Sequence, residues 1–159
     1  MIKRFLGIAM ALGLVCAAVG AQDITWRNNV QPIFEASCAA CHGANSPVVV
    51  DWKLDEANFA KKMVGPRLNT YIDLMSFVVW PDTGAIMRRL DDGKNVNAGG
   101  KPGNMYVYLG KTDAERAANL KTIKDWLGGE AAWNLNRWGV RGTVPAVTKE
   151  QLATIKAKY

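Results

Sequence analysis

Cys38-Ala39-Ala40-Cys41-His42 decides how this chain is read. Two thiols three positions apart can add to the two vinyl groups of one porphyrin. A histidine that follows at once lies under the ring, where its imidazole can bind iron. The stretch therefore reads as a covalent haem attachment site. The rest of the sequence agrees, since His42 is the one histidine among 159 residues. Of the 3 cysteines, only Cys16 lies elsewhere, in a segment expected to be removed.

Other uses of the motif fit less well. A structural zinc site usually takes four Cys or His ligands, and the mature chain offers three, crowded together. A thioredoxin-like dithiol sits at a strand-to-helix junction in a βαβ setting, and the flanks here are not strand-like. A disulfide between Cys38 and Cys41 would close a small strained loop with little entropy to gain.

The amino terminus supports export. Met1-Ile2-Lys3-Arg4 is followed by apolar sequence from Phe5 to Ala21 and small residues at Val19-Gly20-Ala21. That is the pattern of a secretory signal peptide over residues 1–21, cut before Gln22. Cleavage after Ala18 and retention as a membrane anchor are the alternatives; the run is near the lower limit for a span. A lipid anchor on Cys16 is disfavoured, because Leu14-Val15 lacks the small residue such sites prefer. Covalent haem attachment of this type takes place outside the bacterial inner membrane, so signal and motif point to the periplasm together.

The remainder is one domain's worth of chain. Losing Lys3 and Arg4 takes two charges from the formal net +6. The mildly basic surface that is left can steer the protein toward an acidic redox partner. No nucleic-acid partner is expected, and contact with a membrane would come only through a partner complex or an uncleaved signal.

Neither an internal repeat nor a second C-x-x-C-H occurs, so one haem is expected. Strand signals are thin: Val48-Val49-Val50 and Phe77-Val78-Val79-Trp80 lack alternating partners. Helix signals are better. Trp26, Val30, Ile33 and Phe34 fit helical turns on either side of Pro32, which can start a helix but kinks its interior. Residues 54–63 suit a short helix, and Asp82 to Leu90 another, capped by Asp82 or Thr83 with Ile86 and Leu90 inward. Thr112-Asp113-Ala114-Glu115 is a capping box. Ala117, Leu120, Ile123, Lys124 and Leu127 then trace one helix side with Trp126 adjoining, and Gly128-Gly129 ends it. Thr148-Lys149-Glu150-Gln151 repeats the box before a last helix running to near Tyr159. Gly128 to Val147 is a connecting arm with Trp133 and Trp138.

A low-spin electron carrier needs a sixth iron ligand, and one histidine excludes a bis-histidine pair within the chain. A methionine thioether is the leading choice because it favours Fe(II). Met63, Met75, Met87 and Met105 remain after cleavage. Met87 lies in a helix-like run, where core packing suits it, and Met63 and Met75 sit in or beside apolar segments. Met105 follows the loop Lys101-Pro102-Gly103-Asn104, which can drape over a porphyrin. Met105 is the leading ligand; Met87, another methionine, a lysine or an open site are the alternatives.

Trp26-Arg27-Asn28-Asn29-Val30-Gln31-Pro32-Ile33-Phe34 before Cys38 to Gly43 resembles class I c-type cytochromes, in the bacterial form beginning W-x-x-x-V-x-P-I-F before C-x-x-C-H-G. Gly84 to Leu90, Met105, and Thr112 to Leu127 with Trp126 match later parts of the family, so the resemblance covers roughly residues 24–133. It departs at Met105, where the family often has Met-Pro-Pro and this chain has Met105-Tyr106-Val107-Tyr108. The resemblance implies an all-α cytochrome c fold. An N-terminal helix bearing Val30 and Phe34 would cross a C-terminal helix bearing Ile123 and Trp126 over a covalently attached haem c. It implies a cytochrome domain over 22–133, with 134–159 an extension ending in a helix. Cys38, Cys41, His42 and Met105 would bind the cofactor, His42 and Met105 ligating its iron. It also suggests that a proline carbonyl orients the imidazole, with Pro47 the candidate. Arg67, Arg88, Arg89, Trp52, Tyr106 and Tyr108 are candidates to meet the haem propionates. The implied function is electron carriage between redox proteins, free or as a subunit of a larger oxidoreductase; an open-site haem sensor or enzyme is the third reading.

Overall fold

A computed structural model describes residues 23–95, 99–135 and 147–159. The expected signal peptide, Cys16 and Trp138 lie outside the described residues. Among those described there are helices and loops and no strand, as expected for an all-α chain.

The described residues open with a π-helical turn, Trp26–Val30, that runs directly into α1, Gln31–Ser37. Thr25 starts it reciprocally: its hydroxyl accepts from the Asn28 N–H at 3.2 Å, and its own N–H donates to the Asn29 side chain at 2.9 Å. Pro32 falls in the first turn of α1, where its missing N–H costs nothing. The wider turn lies just before it, so the chain continues without a break.

α7, Asp113–Leu127, is the longest described helix and carries the expected capping box at Thr112 and Glu115. Leu120, Ile123, Trp126 and Leu127 are its buried residues. Ala117, expected on the inward side, is exposed. Arg116 is the partly buried residue there, folding back to the Gly110 carbonyl at 3.0 Å. The N-terminal segment meets α7 through aromatic rings. Trp26 lies 6.1 Å from Trp126 and 6.2 Å from Phe34, in tilted pairs, a favoured geometry for such rings. Val30 and Phe34 join Ile123 and Trp126 in one buried cluster.

Short helices connect these two. The helix expected over 54–63 is instead a pair, α3 (Val49–Leu54) and α4 (Glu56–Lys61), with Asp55 non-helical between them. α2 (Ala39–His42) precedes them and α5 (Tyr71–Met75) follows, started by the Thr70 hydroxyl. α6 is Ala85–Leu90. It begins after Gly84 in the left-handed region (φ 72°), without a side-chain cap. The expected caps are engaged elsewhere: Asp82 bonds Arg88 at 2.7 Å, and the Thr83 hydroxyl bonds the Val79 carbonyl. A 3-10 turn, Tyr106–Leu109, leads to α7.

Beyond α7 come α8 (Glu130–Trp133) and α9 (Lys149–Leu152). The last helix was expected to reach nearly to Tyr159, yet it ends at Leu152. The final residues spend their carbonyls on other elements instead. The Lys158 carbonyl accepts from both the Trp26 N–H and the Trp126 indole N–H, each at 2.8 Å. Lys156 N–H donates to the Leu127 carbonyl at 2.8 Å, and the Tyr71 hydroxyl to the Ala157 carbonyl at 3.2 Å. Tyr159 packs edge-on to Tyr71 at 5.5 Å, with the Arg27 guanidinium 4.3 Å over its ring. A buried indole N–H left unpaired would cost about 1–3 kcal/mol, and the tail supplies its acceptor.

Gly128 makes this closure possible. Its φ is +119°, and a Cβ there would lie 2.3 Å from the Thr154 carbonyl oxygen. Gly128→Ala is expected to cost about 1–2 kcal/mol from backbone conformation alone, and more from the clash. Denaturant unfolding checks this; an unchanged midpoint would contradict it.

Candidate functional site

The motif residues are set by the end of α1. Cys38 N–H still donates to the Phe34 carbonyl at 2.8 Å, but Cys38 itself leaves helical geometry (φ −121°, ψ −27°). α2 then restarts the chain: Cys41 and His42 both donate to the Cys38 carbonyl, at 3.1 and 2.9 Å. This puts Cys38, Cys41 and His42 on one short helical turn. Both thiols are free. Burial, with Cys41 adding to it, pushes the Cys38 thiol up to about 11. A thiol held neutral is the reverse of a redox dithiol, whose reactive cysteine has a lowered pKa.

His42 is oriented from across the loop. Its Nδ1 lies 2.8 Å from the Pro66 carbonyl oxygen. A carbonyl only accepts, so Nδ1 carries the proton and Nε2 keeps a lone pair for a metal. Burial lowers the imidazole pKa most; the nearby Arg89 charge lowers it too, and the Pro66 contact opposes them. The expected acceptor was Pro47, and Pro66 takes that role. The physical reason is a three-bond clamp. Gly65 N–H donates to the Cys41 carbonyl at 2.8 Å, Leu68 N–H to the His42 carbonyl at 2.9 Å, and Arg67 N–H to the Pro47 carbonyl at 2.8 Å. The clamp lays residues 65–68 along the ring, and Pro47 acts one step away, holding the loop that carries Pro66. A Cβ on Gly65 would fall 2.0 Å from the His42 ring, so only glycine admits the imidazole there. Gly65-Pro66 was the available signal: a glycine for close approach beside a residue with no N–H of its own.

The methionines separate by setting. Met87 is fully buried in α6, the core role expected of it. Met63 is exposed, in the left-handed region at φ 55° beyond α4. Met75 is partly buried against the core at the end of α5. Met105 is half-buried at the head of the 3-10 turn. Its loop is firmly held although no proline follows. Met105 N–H donates to the Arg89 carbonyl at 2.9 Å, and Gly103 N–H to the Asp91 carbonyl at 2.8 Å. A Cβ on Gly103 would lie 2.3 Å from the Arg88 and Arg89 carbonyl oxygens, so the loop and the end of α6 touch backbone to backbone. Arg89 links the two candidate ligands, since its carbonyl holds Met105 and its charge reaches His42.

The propionate candidates are unequal. Arg67 pairs with Asp73 at 3.2 Å, Arg88 with Asp82, and the Trp52 indole with the Val64 carbonyl at 2.9 Å. Tyr106 is half-buried and Tyr108 exposed. Arg89 has no acidic partner among the described residues; it bonds the Asn104 side chain at 3.1 Å. Arg88, Arg89 and Asn104 line an open cleft of about 230 Å³ with Asp82 and Ala85. Among the described residues no three His, Cys, Asp or Glu side chains gather as a metal-ion cage. A neutral imidazole with a spare nitrogen, two unoxidised thiols one turn apart and a loop methionine fit a haem c.

A model of the PccH cytochrome c family matches residues 25–159. The match runs through the last residue and so includes α8, α9 and the tail. The solved structure of the monoheme cytochrome PccH from Geobacter sulfurreducens is similar at 43% identity and a TM-score of 0.74, over 87% of this chain and 100% of that one. No curated protein matches. At that identity and coverage the likeness extends beyond fold to kinship, and this chain belongs to the PccH cytochrome c family.

Proposed function

We propose that this protein is a periplasmic single-haem electron carrier, its haem thioether-linked to Cys38 and Cys41 and its iron held by His42 and Met105. Membership of a cytochrome c family makes the chain an electron-transfer haem protein with one haem c. When bound, the haem supplies a one-electron Fe(III)/Fe(II) couple. The observation that carries the ligand reading is the Nδ1 contact of His42 with Pro66. It fixes the tautomer, leaves the Nε2 lone pair for a metal and stiffens the ring, as a partner behind a metal-bound histidine does. Met105 supports the opposite ligand because it is half-buried on a loop anchored at both Gly103 and Met105. The residues around the site hold the two ligands in place through the redox change. They also limit water access to the iron.

Export over residues 1–21 accords with covalent attachment in the periplasm, and no described helix is long and apolar enough to cross a membrane. The reading as a subunit of a larger oxidoreductase drew on the arm's tryptophans as an interface. Trp133 is fully buried within this chain and does not serve that purpose. An open-site enzyme would need an acid–base group opposite His42, and the chain has no second histidine.

Three outcomes follow. The oxidised protein is expected to show the weak near-red band of an Fe(III)–thioether bond, lost in Met105→Ala and kept in Met87→Ala; the reverse pattern would move the ligand to α6. Gly65→Ala is expected to displace the His42 ring and lower the yield of low-spin protein severalfold, read from the Soret spectrum at equal expression. A wild-type yield would contradict the close approach. On acidification, a histidine whose pKa is lowered in the fold keeps its neutral form below the ordinary 6.5. Between that value and the lowered one the unfolded chain binds the extra proton, so stability is full above 6.5 and falls below it. Unfolding of the haem-free chain followed against pH should therefore show stability falling only on the acid side of that value; a fall that begins above it would count against the buried, Pro66-bonded imidazole.

A further inference from the structure

Asp91 is a carboxylic acid with 0% exposure, and nothing in the ligand scheme above uses its side chain. Burying such a group is costly unless it is well bonded. One oxygen, Oδ2, accepts from the Gly93 N–H at 3.1 Å, which turns the chain after α6. The other, Oδ1, accepts from the Trp133 indole N–H at 3.3 Å. Trp133 belongs to α8 and is fully buried, with the Lys124 ammonium 5.3 Å from its ring centre. A second tie joins the same two segments, from the Asn95 side chain to that of Asn134.

The backbone of Asp91 faces the opposite way. Its carbonyl accepts from Gly103 N–H at 2.8 Å, and two residues earlier the Arg89 carbonyl accepts from Met105 N–H at 2.9 Å. The Gly93 turn abuts the same loop, since a Cβ there would lie 2.9 Å from the Pro102 nitrogen. Asp91 therefore stands where the end of α6, the Met105 loop and α8 meet.

We propose that Asp91 is a positioning residue for the axial methionine: its carboxyl group ties the end of α6 to the Trp133 indole and so fixes the backbone on which the Met105 loop hangs. This rests on Met105 being the ligand. α8 lies beyond the longest helix and far from His42 in sequence, yet through this bond it bears on the iron's sixth position. The chemistry is selective. Gly93 N–H and Trp133 Nε1–H are among the donors that face its oxygens, one on each. An asparagine would satisfy only one of them and set its own N–H group against the other.

The test uses the haem-loaded protein with Asp91→Asn and, as a milder change, Trp133→Phe, which keeps the ring and removes the N–H. Both should load haem and keep the His42 spectrum. The near-red thioether band should weaken in both. Carbon monoxide should bind the reduced Asp91→Asn protein roughly tenfold faster, in line with losing one hydrogen bond to a charged group, and Trp133→Phe should shift in the same direction by less. The reduction potential should fall in both as the thioether is held less well. In the double variant the effect should not exceed that of Asp91→Asn, because the two changes break one contact. If both variants melt earlier while band, potential and carbon monoxide rate stay as in the parent, Asp91 is structural only and the inference is overturned. If Met105→Ala leaves the band intact, the ligand reading itself has failed, and the inference falls with it; the two failures are told apart by that single control.

Discussion

One hydrogen bond, between His42 Nδ1 and the Pro66 carbonyl at 2.8 Å, organises the site. It chooses the tautomer, frees Nε2 and holds the ring against the glycine at position 65. The backbone around it is arranged to keep that carbonyl still. Gly65 and Leu68 donate to Cys41 and His42 from one side, while Arg67 donates to Pro47 from the other. The α2 turn and the loop at 65–68 thus brace each other, and the thiols of Cys38 and Cys41 inherit their positions from the same brace. An imidazole ordered in this way would need little rearrangement on holding an iron that changes charge.

The scaffold behind the site is a pair of helical segments sealed by aromatic rings and strapped by the carboxy terminus. Trp26 and Trp126 each place a donor on the Lys158 carbonyl, so the last residues join the first helix to the longest one. The strap replaces helix with extended chain over residues 155–159, where Ile155 and Ala157 pack against the core. Its loop side depends on Gly128, whose left-handed conformation brings Thr154 close. Asp91, Trp133 and the Met105 loop make a second tie, between the end of α6 and α8. Both ties join residues far apart in the chain.

That distance in sequence explains what could be read in advance. That Cys38, Cys41 and His42 share one turn was legible because it is local: spacing alone brings them together. The capping boxes at Thr112 and Thr148 were legible for the same reason, since a cap is satisfied within four residues. The core face of α7 was legible at Leu120, Ile123 and Leu127, and missed at Ala117, where Arg116 lays its stem instead. Pro47 was the candidate because it follows soon after His42 in sequence, whereas the chain reaches the ring at Pro66 only after passing through α3 and α4. The caps of α6 were misjudged because Asp82 and Thr83 found partners in Arg88 and Val79. The length of the last helix was overestimated because its carbonyls answer to Trp26, Trp126 and Tyr71, partners that no local pattern announces.

The central claim is that one haem is joined to this polypeptide through Cys38 and Cys41. The most direct measurement is the intact mass of the protein isolated from the periplasm, followed by peptide mapping. The account predicts a chain lacking residues 1–21 and heavier by one haem, with the added mass confined to the peptide that holds Cys38 and Cys41. A polypeptide of unmodified mass, or haem released by mild acid extraction without cleaving a thioether, would contradict it.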